Sequence, residues 1–230
     1  ERQQMIPLGD SIRSHRTPWV TYALLILNIG IYASTAVFGQ ADYGNIVRTY
    51  GLIPFRVMRS FDLEAVVDLV TSMFLHGSLL HLGSNMLYLW IFGDNVEDAL
   101  GPVGYILFYL LGGLLASAAQ ILANPASTVP IIGASGAIAA VLGAYLVLYP
   151  ASRVRTLIPL GFFVRIALLP ASVVLGLWFV IQLVQGFLAA RGGADAGGVA
   201  VWAHVGGFAA GALLARLITS PERRNRWDSR

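Results

Sequence analysis

"PIIGASGAIAAVLGAYLVLYP", residues 130–150, decides the fold. It is uncharged and apolar enough for lipid, yet it carries a hydroxyl, Ser135, near its start, in a small bare setting between Gly133 and Gly136. A run of this length fits a membrane span, which needs about 20 mostly apolar residues. The uncharged block around it, from Gly101 to Ser152, is too long for one crossing. "NPASTVP", from Asn124 to Pro130, supplies the turn chemistry that divides it into two.

Composition agrees with a membrane protein: 57% of the 230 residues are hydrophobic, 12% are charged, and the mean hydropathy is +0.70. Six apolar stretches read as spans: Trp19–Phe38, Met73–Phe92, Val103–Ala123, Ile131–Ala151, Ile166–Ala190 and Ala196–Ala215. The expected fold class is an all-α polytopic membrane protein with six transmembrane helices, so both termini share one side. All 15 basic side chains are Arg. Eleven of them lie before the first span (Arg2, Arg13, Arg16), between the fourth and fifth (Arg153, Arg155, Arg165) and after the last (Arg216, Arg223, Arg224, Arg226, Arg230), which the positive-inside rule makes cytoplasmic, against Arg48, Arg56, Arg59 and Arg191 in the external connections. The acidic "GDNVEDAL", residues 93–100, falls on the same side as a connection between spans two and three.

The expected organisation is a cytoplasmic segment 1–18, a membrane domain 19–219 and a basic cytoplasmic tail 220–230 that anchors to anionic lipid. The connection 39–72 lies outside and holds a short interfacial helix, "LEAVVDLVTSMF" (Leu63 to Phe74). A glycine-rich loop, Arg191 to Gly198, links spans five and six. The net charge of +3 reports topology, and no nucleic-acid partner is indicated. With no cysteine, disulfides, Cys-ligated metals and thiol nucleophiles are excluded. Glu1 is not a start residue, so further residues are expected before it; nothing present reads as a cleavable signal peptide. Arg-only basic usage with abundant Ala and Gly suggests a GC-rich bacterium, and hence an inner-membrane location.

Polar groups inside spans are costly unless paired, so each is a functional candidate. On this topology spans two, four and six run in one direction, and His81, Ser135 and His204 each fall near the start of one of them. They are expected at one depth, just below the outer interface. Serine with histidine makes a nucleophile and its base. Ser135 opens a helix, where free N–H groups and the positive end of the helix dipole favour an oxyanion. His81 and Asn85, at i and i+4, share a helix face and add side-chain donors. Gly133 and Gly136 allow close approach of a substrate backbone, and Gly207 with Gly211 forms a G-x-x-x-G packing face that draws His204 toward span four. No carboxylate lies near these positions in the three spans, so a Ser135–His204 dyad is expected. Trp19, Trp90, Trp178 and Trp202 read as interface or lipid-facing anchors. Gln182 and Gln185, like Ser117 and Gln120, read as satisfying one another or the backbone, or as lining a water path.

These residues resemble the rhomboid family of intramembrane serine proteases. The likeness rests on H-x4-H-x3-N at His76, His81 and Asn85, on G-x-S-G from Gly133 to Gly136, and on A-H-x-x-G-x-x-x-G from Ala203 to Gly211. It implies a six-helix bundle with Ser135 as nucleophile, His204 as general base and an oxyanion hole from His81, Asn85 and the Ser135 N–H. It implies no metal or cofactor, transmembrane proteins as substrates, and membrane lipid as surroundings. By the same likeness span five and the loop after it move to admit substrate, with Phe179 and Phe187 as candidate gate residues. Two departures stand out. Where some members carry Trp-Arg in the first external loop, this chain reads "VVDLV" (Val66 to Val70), and where some place an aromatic four residues after the serine, it has Ala139. Some other group must therefore orient His204.

The competing classes are a non-catalytic membrane binder on the same scaffold, which typically lacks the serine or histidine, and a channel or transporter, for which no charged path or paired broken helices are present. Oligomeric state is not legible in the sequence.

Overall fold

The structure, a computed structural model, describes residues 5–37, 39–160, 163–192 and 200–219. The tail 220–230 and most of the loop Arg191 to Gly198 lie outside the described residues. Six helices form the bundle: α1 (Trp19–Val37), α5 (Leu79–Leu100), α6 (Pro102–Ala123), α7 (Ser135–Leu148), α8 (Ala171–Gly192) and α9 (Val201–Ile218). Trp19–Ala36, Pro102–Ala123, Ala171–Ala189 and Val201–Ile218 are each long and apolar enough to cross a bilayer. The helical-bundle class stands, and this is an integral membrane protein.

Several boundaries differ from the sequence expectation, each for a local reason. The second span starts later than Met73, because Met73 and Phe74 belong to a 3-10 turn (Ser72–Phe74) that meets α5 across an 83° bend. Ser78 opens α5 by accepting a hydrogen bond from the His81 N–H (3.1 Å). "GDNVEDAL" is no loop; it forms the last turns of α5. Its charge has a use there: the buried Glu97 carboxylate accepts hydrogen bonds from the N–H groups of Val20 (3.0 Å) and Thr21 (2.8 Å) and from the Thr21 hydroxyl (2.8 Å). Those N–H groups belong to the first turn of α1, where a carboxylate meets both orphan donors and the helix dipole.

The fifth span begins at Ala171 rather than Ile166, because 166–170 belong to a strand. A three-stranded antiparallel sheet adds to the helical class: β1 (Ile6–Asp10), β2 (Arg153–Leu160) and β3 (Phe163–Pro170), in the order β1-β2-β3. It sits at the end of the bundle where α7 finishes and α8 begins. β1 is docked by Asp10, whose carboxylate accepts hydrogen bonds from the Tyr145 hydroxyl of α7 and from Asn95 Nδ2 of α5 (2.9 Å).

The segment expected to hold one interfacial helix contains three short ones, α2 (Gly39–Tyr50), α3 (Pro54–Arg59) and α4 (Leu63–Thr71). Asp62 caps α4 by accepting from the Ala65 N–H (3.0 Å), and Arg56 ties the three together through Asp68 (2.9 Å) and the Arg48 carbonyl (3.0 Å).

At the centre stands α7, shorter than the expected span Ile131–Ala151 and buried along most of its length. Ala, Ile, Val and Leu on all sides suit a helix enclosed by other helices. Pro150 ends it, since the residue before a proline is pushed out of helical geometry. Its 14 residues span about 21 Å at 1.5 Å each, against a hydrocarbon core of about 30 Å. One or both ends of α7 therefore stop short of the membrane surface.

Burial raises the Asp10 carboxyl from its ordinary 3.8 to about 6, opposed only in part by the Tyr145 hydrogen bond. A folded-state value above the unfolded one means the folded protein binds the proton more readily, so this contribution is full below about pH 4 and is lost as pH rises through about 6. Thermal unfolding of the detergent-solubilised protein is expected to show a midpoint that falls between about pH 4 and about pH 6, with a smaller fall in Asp10→Asn, whose amide oxygen still accepts both hydrogen bonds. Identical slopes in the two proteins would contradict this assignment.

Candidate active site

Residues 131–134, just before α7, are held from two sides. Leu52 and Ile131 exchange backbone hydrogen bonds (3.0 and 2.8 Å), and the Gly133 N–H donates to the Ser72 carbonyl (2.8 Å). Gly133 has φ +125°, a conformation that side-chain-bearing residues rarely adopt. A Cβ there would also lie 2.8 Å from His81 Nε2 and 3.7 Å from Asn85 Nδ2. Glycine at 133 thus keeps a hollow open in front of both side chains.

α9 reaches the same hollow by lying directly on α7. A Cβ added to Gly207 would meet the Gly136 carbonyl oxygen, one on Gly211 the Ala140 carbonyl oxygen, and one on Gly143 the Phe208 carbonyl oxygen. Small residues at a helix crossing allow this approach. It brings His204 Nε2 to 2.8 Å from Ser135 Oγ. On the other side of the ring, His204 Nδ1 lies 2.8 Å from Gln182 Oε1 on α8. The Trp178 ring, also on α8, sits 5.9 Å from the imidazole, centroid to centroid.

Ser135 is the first residue of α7, so its N–H lies outside the helix's own hydrogen-bond ladder. Asn85 Nδ2 is buried with no hydrogen-bond partner among the described residues, an arrangement that costs free energy unless a ligand completes it. His81 and Asn85 share the face of α5 turned to this hollow, and both line a cavity of about 530 Å³ together with Ser135, Gly136 and His204. His76 is buried behind them, its ring edge-on to His81 at 5.1 Å.

Of the eight positions singled out from the sequence, Ser135, His204, His81, Asn85, Gly133 and Gly136 line this one hollow, while Gly207 and Gly211 lie along the α7–α9 contact beside it. One side chain was read differently. Trp178 is no lipid-facing anchor: it lines the cavity beside His204, whereas Trp19 and Trp90 are exposed and Trp202 packs against Phe187 and Gly186. Gln182 lines the cavity, one of the two alternatives read for it, but its amide oxygen lies 2.8 Å from the His204 ring, while Gln120 meets the backbone by accepting from the Ala203 N–H (3.0 Å). Phe179 stacks on Phe208 at 4.7 Å. Spacing alone could have placed Trp178 and Gln182, four residues apart, on one face of α8, but not which neighbour that face meets.

The fold and this hollow define a class: a polytopic helical membrane protein with a serine–histidine pair sunk among its helix ends. A family model described as the Rhomboid domain matches residues 63–221, more than half of the chain. The chain belongs to the rhomboid family. Among its relatives, "Rhomboid protein 1, mitochondrial" of Saccharomyces cerevisiae is 30% identical over 139 residues, 59% of this chain and 38% of the relative. "Rhomboid-like protein 11, chloroplastic" of Arabidopsis thaliana is 35% identical over 115 residues, 50% and 37% of the two chains. "Rhomboid protease GluP" of Bacillus subtilis is 38% identical over 93 residues, 40% and 18%. The chain spans well under two thirds of the length of these three relatives.

The α7–α9 contact makes a sharp structural prediction. Gly211→Ala puts a methyl group onto the Ala140 backbone, and overpacking of this kind costs about 1–3 kcal/mol. Its thermal midpoint is expected below that of Ala210→Gly, a change of similar size beside it on the same helix. A Gly211→Ala protein as stable as wild type would show that the two helices do not lie this close.

Proposed function

We propose that the protein is an intramembrane serine endopeptidase that hydrolyses peptide bonds within or near the transmembrane segment of membrane-protein substrates, using a Ser135–His204 dyad. The observation that carries the reading is the 2.8 Å contact between Ser135 Oγ and His204 Nε2 in a hollow among membrane helices. Membership of the rhomboid family and a bacterial relative named as a protease support it.

The chemistry follows from the groups in place. Ser135 Oγ attacks the scissile carbonyl carbon as its proton passes to His204 Nε2. The carbonyl oxygen becomes an oxyanion, held by the Ser135 N–H, by Asn85 Nδ2 and by His81. Asn85 Nδ2 suits this task because it is buried and has no other acceptor. As the tetrahedral adduct collapses, His204 returns the proton to the leaving amine and an ester to Ser135 remains. Water, giving a proton to His204, then attacks the ester carbonyl, and as the bond to Ser135 Oγ breaks His204 returns that proton to Oγ and the acid leaves. No metal or cofactor takes part in this scheme.

A peptide carbonyl in a spanning helix is already hydrogen-bonded, so a substrate must unwind locally before attack. Gly, Pro and polar residues lower that cost, and small residues fit the glycine walls at Gly133 and Gly136. Purified protein in proteoliposomes, given a fluorogenic membrane peptide containing such a segment, is expected to cleave it, and Ser135→Ala to lose at least about 10³-fold in rate. A serine-directed fluorophosphonate is expected to label wild type and not Ser135→Ala. Equal cleavage by both proteins would remove Ser135 from the mechanism.

The arginine distribution supports cytoplasmic termini and a hollow that opens to the extracytoplasmic side, with a bacterial inner membrane as the setting. Kinship alone does not choose the compartment, because the relatives include mitochondrial and chloroplastic proteins. The absence of native cysteine makes the topology testable. Ser60→Cys is expected to react with an impermeant maleimide added to intact cells, and Arg153→Cys only after lysis. The reverse pattern would invert the proposed orientation.

A further inference from the structure

The proposed dyad leaves His204 Nδ1 to be accounted for, since a free imidazole can carry its proton on either nitrogen and turn about its side-chain bonds. Among the described residues no carboxylate serves it. Instead Gln182 Oε1 stands 2.8 Å from Nδ1, and Gln182 is itself 7% exposed. An amide oxygen only accepts, so the proton on this side must belong to Nδ1, and Nε2 then turns a lone pair toward the Ser135 hydroxyl. That is the tautomer in which His204 can take the serine proton. Trp178, one turn earlier on α8, flanks the same ring and limits its rotation. Position 139, one turn into α7, is a buried alanine and gives the imidazole no stacking partner.

We infer that Gln182 is a positioning residue for the reaction, holding His204 in the Nδ1–H tautomer and aimed at Ser135, in the place where other serine hydrolases use a carboxylate. The inference rests on the protease reading above. A neutral amide suits this site because burying a carboxylate without a partner is costly. It also leaves the resting imidazole with no anion to hold it charged, so Nε2 stays free to act as a base.

The test uses the full chain in proteoliposomes with the same fluorogenic membrane peptide, measuring kcat and KM across pH for wild type, Gln182→Leu and Gln182→Glu. Gln182→Leu keeps the bulk of the side chain and loses the acceptor. It is expected to lower kcat by about 10- to 100-fold with KM little changed, the scale of loss when a reacting group is misaligned. Gln182→Glu restores the acceptor, so kcat is expected to recover at the alkaline end. Its acid limb should move to higher pH, because a carboxylate beside Nδ1 favours imidazolium.

Thermal midpoints and the rate of fluorophosphonate labelling separate misfolding from misalignment. A Gln182→Leu protein that melts like wild type but labels slowly supports the inference. If Gln182→Leu destabilises the fold, the acid limb of Gln182→Glu decides: an unmoved limb overturns the inference. Wild-type kcat in Gln182→Leu overturns it too. These outcomes are distinct from failure of the protease reading, in which wild type and Ser135→Ala already behave alike.

Discussion

The contact between α7 and α9 is the constraint on which the other features rest. Serine has one side-chain carbon and histidine a short, planar side chain, so their 2.8 Å meeting requires the two helix backbones to touch. They do so where Gly143, Gly207 and Gly211 expose one backbone to the other. In lipid no hydrophobic force pushes helices together, because the surroundings are as apolar as the side chains. Close packing and weak backbone contacts must hold them instead. The glycines therefore have an energetic role as well as a geometric one: they supply the extended contact area that keeps α9 in place, and its fourth residue, His204, is positioned as a result.

A second condition is the shortness of α7. A helix of ordinary membrane length starting at this register would carry Ser135 to the bilayer surface, among headgroups. Fourteen residues leave room above or below it, and the loop that fills part of that space is stitched to Leu52 and Ser72. The result is a hollow with polar lining, Ser72, Ser78, Ser84 and Gln185 among them, inside an otherwise apolar bundle. Any hydrolysis here needs water to reach Ser135, and a chain of hydroxyl and amide groups is the kind of surface on which water stays ordered.

Much of this could be read in the sequence, because it depends on composition and short-range spacing. The helical class came from long uncharged stretches, and the site from polar residues near the starts of alternating spans. What was not legible depends on contacts between distant segments. The strand at Arg153–Leu160 is recognisable only once β1, some 150 residues earlier, lies beside it. Glu97 looked like a loop acid because its partners, the first N–H groups of α1, are 76 residues away. Gln182 looked like one more amide in a spanning helix, since nothing local signals that its oxygen faces an imidazole 22 residues on. The end of α7 was overestimated because Ile131 and Ile132 are as apolar as the helix they precede, and only the φ of Gly133 marks the boundary.

The two ends of α7 are also tied to opposite faces of the molecule. At one end residues 131–133 are bonded to Leu52 and Ser72; at the other Tyr145 and Tyr149 reach Asp10 and the Asn95 carbonyl. In mechanical terms it is a beam clamped at both supports, with its flank glued to α9. Among the described residues, α8 has the smallest buried share of the five helices that border the cavity, so it is the wall least held by packing. Gln182 rides on that wall, so the aim of the imidazole is referred to the least anchored side of the cavity through the 2.8 Å contact at Nδ1.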